Sequence, residues 1–136
     1  MARSREDETI IQFTFGLDDP ELEDEEQLRF SKKLLRELRN LDEVERADRT
    51  ENLDPEAGGK PGFATLLGTL TAQVSVENIR EFLGFLGDRL QDKTIKGRIK
   101  VGENEIEFKV KGRQELAEFE KTALKLIEAM GGDNNG

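Results

Sequence analysis

Hydrophobic and polar positions follow clear periods along most of this chain. Ile11, Phe13 and Phe15 recur at every second position, with Gln12 and Thr14 between them. That alternation predicts a strand over 10–15, with Leu17 continuing the apolar face and Asp18-Asp19-Pro20 breaking it. From about Asp24 to Leu41 the period becomes helical: Leu28, Leu34, Leu35, Leu38 and Leu41 form one stripe, with Phe30 on its edge. Asp24 with Gln27 three positions on predicts a capping box. Glu21, Glu23, Asp24, Glu25 and Glu26 crowd the start and Lys32, Lys33, Arg36 and Arg39 follow, an order that complements the helix dipole. Val44 to Arg49 reads as a weak second strand with neither face strongly apolar, suited to a sheet edge. Thr50 to Gly62, rich in Asp, Glu, Gly and Pro, reads as a loop.

Phe63 to Val76 is apolar with small polar interruptions. Phe63, Leu66, Leu67, Leu70 and Val74 keep helical spacing, whereas Thr69, Thr71 and the valines suit a strand about equally; the spacing is read as a short, buried helix. Val76 to about Gln91 predicts a clearer helix, capped by Ser75 and buried through Ile79, Phe82, Leu83, Leu86 and Leu90, with Phe85 widening its apolar face. Thr94 to Lys111 carries the strongest hairpin pattern. Ile95, Ile99 and Val101 alternate with Lys96, Arg98 and Lys100, and Ile106, Phe108 and Val110 alternate with Glu107, Lys109 and Lys111. With Gly102-Glu103-Asn104-Glu105 as the turn, Val101 opposes Ile106, Ile99 opposes Phe108 and Gly97 opposes Val110. A last helix over about Gln114 to Met130 buries Leu116, Phe119, Ala123, Ile127 and Met130, with Leu124 and Leu126 alongside, and Gly131-Gly132 stops it. The expected fold is α/β (α+β): a small mixed or antiparallel sheet with helices packed on one face, a two-layer sandwich. Its boundaries are read as one domain over 10–130, between a flexible leader at 1–9 and a flexible tail at 131–136.

Composition narrows the chemistry. The 136 residues include no cysteine and no histidine, so disulfides, thiolate metal sites and histidine acid-base chemistry are excluded. Apolar residues make up 35% and charged residues 38%, which implies a modest core under a heavily solvated surface. The formal charge of −9 argues against generic nucleic-acid binding. No signal-peptide pattern and no long apolar run is present, so no membrane contact is expected and the default location is the cytoplasm. Thirty Asp and Glu residues make accidental carboxylate pairs inevitable, and nothing singles one out as an acid-base couple. The expectation is a chain that is not an enzyme and carries no cofactor and no metal.

Three candidate sites remain. In the predicted register Arg98 opposes Lys109 and Lys96 opposes Lys111, so Lys96, Arg98, Lys100, Lys109 and Lys111 gather on one small face of an acidic protein. That face is either a solvated surface defended against edge pairing or a docking patch for an acidic partner. Gly58-Gly59-Lys60-Pro61-Gly62 superficially resembles a phosphate-cradling loop, but the P-loop spacing is absent and Pro61 removes an amide donor. Gly59, Lys60 and Gly62 are candidates for a loop contact. Leu67, Phe82 and Phe85 are surplus apolar residues that could bury between subunits of a homo-oligomer.

Leu34-Leu35-Arg36-Glu37-Leu38, Val44-Glu45-Arg46-Ala47, Gly59-Lys60-Pro61-Gly62 and Leu66-Leu67-Gly68-Thr69-Leu70, followed by the closing hairpin and the Leu116 helix, give the chain an order of short motifs that resembles the effector-associated constant component family. The resemblance spans roughly residues 10 to 129. It implies an accessory domain of prokaryotic defence or conflict systems, coupled to an effector protein such as a trypsin-like or caspase-like protease. On that basis the expected function is a non-catalytic protein-binding module that regulates a separate effector. The alternatives are a small-molecule or nucleotide sensor, using the Gly59 loop and the apolar segment beside it, and a structural homo-oligomer.

Overall fold

The computed structural model describes residues 9–50 and 68–130. Five strands form one antiparallel sheet in the order β2-β3-β1-β4-β5. They are β1 (Ile10–Leu17), β2 (Val44–Arg49), β3 (Leu70–Ser75), β4 (Thr94–Val101) and β5 (Asn104–Lys111). Among the described residues three helices pack against it: α1 (Asp24–Arg39), α2 (Ile79–Leu90) and α3 (Gly112–Met130). The mixed alternative for the sheet is thereby resolved to an antiparallel one.

β1 lies at the centre because its alternation buries a whole face. Ile11, Phe13, Phe15 and Leu17 point to the helices, beside Leu70, Ala72 and Val74 of β3 and Ile95, Ile99 and Val101 of β4. Leu34 and Leu38 of α1, Phe82, Leu83, Leu86 and Leu90 of α2, and Leu116, Ala123 and Ile127 of α3 close the same core. Phe13 sits at its middle, with ring centroids 5.6, 5.1 and 5.3 Å from Phe15, Phe82 and Phe108. Burying an aromatic ring of this size contributes on the order of 2–3 kcal/mol, and its edge-on contacts add to that.

Four expectations change. Leu70 to Ser75 is strand, not helix. Its residues do alternate apolar and polar, but Leu70 and Val74, four apart, share a face in a strand as well as in a helix, so the helical spacing read there fits both. α1 starts at Asp24 as expected, but its capping box lies one residue earlier than Asp24 and Gln27: the Glu23 N–H donates to Glu26 Oε1 at 3.0 Å. Ser75 ends β3 without a side-chain capping bond, and a single 3-10 turn over Val76–Asn78 precedes α2. The hairpin turn holds two residues, Gly102 and Glu103, rather than four. Gly102 at φ +63° in the first turn position fits a type II′ turn.

The expected leader, except Thr9, the tail, and the loop from residue 51 to Gly62 lie outside the described residues. Among the described residues no helix is long and apolar enough to cross a membrane.

Candidate interaction surface

The sheet face turned away from the core is polar apart from Ile10 and Gly16, and its centre is buried. Thr50, Thr71, Thr14 and Arg98 cross it from β2 to β4, each 2% exposed or less. Thr71 donates to Thr50 Oγ1 at 2.9 Å, and the Thr14 and Thr71 hydroxyls lie 3.0 Å apart. Hydroxyls in a buried row must find partners, and this row supplies them to one another. Thr14 sits directly beside Arg98 in the β1–β4 register.

Shortening the turn moves every partner in the hairpin by two residues. Arg98 therefore faces Glu107 rather than Lys109, Lys96 faces Lys109 rather than Lys111, and Lys100 faces Glu105. Likewise Ile99 faces Ile106, Gly97 faces Phe108 and Ile95 faces Val110. A slip of two preserves the faces, so the apolar and polar sides are as the alternation predicts. What changes is the charge pattern. Arg98, expected on the surface, is buried, and its Nη1 lies 3.5 Å from the Glu105 carboxylate. A guanidinium taken out of water requires such partners. Lys109 reaches Asp18 at 3.3 Å. Five basic side chains do share the face, but Glu105 and Glu107 are interleaved among them and Arg98 is withdrawn beneath. The accessible basic groups are the half-buried Lys96 and Lys100 and the exposed Lys109 and Lys111.

The other candidates separate. Phe82 is fully buried among Phe13 and Phe15 and has no surface to offer a second subunit. Phe85 is half-buried, with the Arg89 guanidinium 4.3 Å from its ring centroid. Arg89 is in turn held by Glu37 at 2.8 Å, which ties α2 to α1. Leu67, Gly59, Lys60 and Gly62 lie outside the described residues.

Sequence reasoning missed two features of the surface. One is the buried row of Thr50, Thr71, Thr14 and Arg98, whose signal was the polar residues Gln12 and Thr14 in β1 and Thr71, Gln73 and Ser75 in β3 at every second position. The other is a small cavity of about 10 Å³ between Phe30, Ser31 and Leu34 of α1 and Leu17, Gly68 and Leu70, room for little more than one water-sized sphere. Ser31 closes one side by donating to the Gly68 carbonyl at 2.7 Å. Among the described residues no group of three or more acidic side chains is arranged to hold a metal ion. Comparison with known proteins adds no relative: no family model, no curated protein and no solved structure matches the chain.

Proposed function

We propose that this chain is a non-catalytic protein-binding module that docks on an acidic surface of a separate effector. The observation that carries the reading is the pair Lys96 and Lys100. They rise from an inner strand on either side of buried Arg98, on a protein of net charge −9. An inner strand is held on both sides, so binding through the two ammonium groups needs no backbone ordering and costs only the rotamer freedom of the two side chains. Local positive charge on an acidic protein also orients its approach to an acidic partner. The motif resemblance points to the class of partner: an effector of a prokaryotic defence system, such as a trypsin-like or caspase-like protease.

The test is capture of the intact chain from its native host, in parallel with the K96E/K100E variant, followed by mass spectrometry. The expected result is an effector recovered in fixed stoichiometry with the native chain and at least tenfold depleted with the variant. Equal recovery with both would overturn the docking surface. Recovery of the bait alone from both would overturn the effector reading.

A further inference from the structure

Among the described residues β5 is the last strand of the sheet, and the direction of its main chain follows from its neighbours. The Asp18 N–H donates to the Thr94 carbonyl at 2.9 Å, so Thr94, Lys96, Arg98 and Lys100 bond towards β1. The alternate residues Ile95, Gly97, Ile99 and Val101 bond towards β5, where their partners are Val110, Phe108, Ile106 and Asn104. The N–H and C=O groups of Glu105, Glu107, Lys109 and Lys111 therefore lie along the outer edge. The Lys111 N–H fits that direction, since it donates to Glu115 Oε1 at 2.7 Å. All four of these side chains are exposed.

Read outward along the edge they run Glu, Glu, Lys, Lys. An antiparallel copy of the strand that brings Lys109 against Glu107 also brings Lys111 against Glu105, and a twofold axis repeats both pairs. Main-chain geometry allows only slips that keep outward groups facing outward groups. The adjacent allowed registers set Glu107 against Glu107 or Lys109 against Lys109, which like-charge repulsion disfavours. A charged edge usually repels further strands; this order of charges selects one.

The apolar side of the same edge agrees. Phe108 falls on the axis, and half-buried Ile106 meets Val110 of the second copy. On α3, Arg113 and Glu120 reach Asp88 and Arg80 of α2, which fixes the flank turned towards α2. Helical spacing puts Glu115, Phe119, Thr122 and Leu126 on the opposite flank, below the open edge. Phe119 stacks on Phe108 with centroids 4.5 Å apart, and among the described residues Leu126 is one of the few large apolar side chains left exposed, at 39%.

We propose that two copies of this chain pair antiparallel through β5, with Glu107 of each against Lys109 of the other, joining their sheets into one and bringing the Phe119–Leu126 flanks of α3 together beneath it. The axis stands across the sheet, so Lys96 and Lys100 of both copies face the same side. This pairing does not depend on the docking reading, because Lys96 and Lys100 lie on β4, away from the edge.

The test is the mass of the purified full chain by analytical ultracentrifugation from low micromolar to several hundred micromolar, for the native chain, E107K, K109E and the E107K/K109E exchange. The native chain is expected to associate to twice the chain mass, each single variant to associate roughly tenfold more weakly, and the exchange to restore association. Restoration also shows that the single variants lost pairing rather than folding. A native chain that stays monomeric throughout, single variants that associate unchanged, or an exchange that fails to restore association would each overturn the proposal.

Discussion

The two edges of this sheet face the same hazard and are built differently. β2 is closed. Its register shifts between Val44 and Arg46, which twists the strand and interrupts any straight row of donors. The Thr50 N–H donates to the Thr69 carbonyl, so the alternate residues Ala47 and Arg49 turn their main chain outward. One outward group of each is taken up locally: Arg39 Nε donates to the Ala47 carbonyl at 3.0 Å, and the Arg49 N–H donates to Asp48 Oδ1 at 2.7 Å. Arg39 also pairs with Asp48 at 3.0 Å. β5, at eight residues, has an unshifted register with β4, and at its end Glu115 takes the Lys111 N–H. A neighbouring helix thus plugs one edge, while the other relies on the order of its charges.

The strongest way to break this contrast is to detach β5 from its support. Gly97 faces Phe108, and a Cβ added there would collide with Phe108 Cζ and lie 2.6 Å from the Thr14 carbonyl oxygen. Gly97→Ala is expected to cost about 1–3 kcal/mol as an overpacked site. Urea unfolding measures that loss directly, and an unchanged midpoint would show that β4 can yield there. The companion substitution opens the closed edge. Arg39→Ala removes the plug on Ala47 together with the Asp48 pair, both partly exposed, at about 1 kcal/mol of stability. Light scattering at rising concentration should then show association that the native β2 edge resists; no change would mean that the register shift alone protects that edge. The smallest effect is ionic. Raising salt from 0.1 to 1 M shortens the Debye length from about 10 to about 3 Å. Self-association through β5 should weaken severalfold in ultracentrifugation, and salt-independent association would assign it to the apolar flank of α3 instead.

Most elements were legible because their patterns answer one constraint each. β1 alternates because one face meets the helices; α1, α2 and α3 carry stripes because each is buried on one side. β3 hid although Leu70 to Ser75 alternates, because Leu70 and Val74 also satisfy helical spacing and continue the apolar series of Phe63, Leu66 and Leu67 before them. The hairpin's faces were readable and its partners were not. A two-residue slip leaves every apolar side chain on the same side, so periodicity cannot detect it; Gly102 opening a two-residue turn was the only local mark. That slip decides the surface. It puts Glu107 across from Arg98 and Glu105 across from Lys100 in a patch read as basic and offset only by Glu107 and the turn glutamates, and Arg98, on an inner strand beside Thr14, is buried.

Residue-resolved amide hydrogen exchange, measured at low and high protein concentration, separates the two edges most directly. The amides of Glu107 and Lys109 should exchange fast when dilute and become protected as concentration rises, while those of Ala47 and Arg49 stay unchanged. Protection of Glu107 and Lys109 that does not depend on concentration, or a concentration-dependent change on β2 instead, would contradict an open, self-complementary β5 edge opposed to a closed β2 edge.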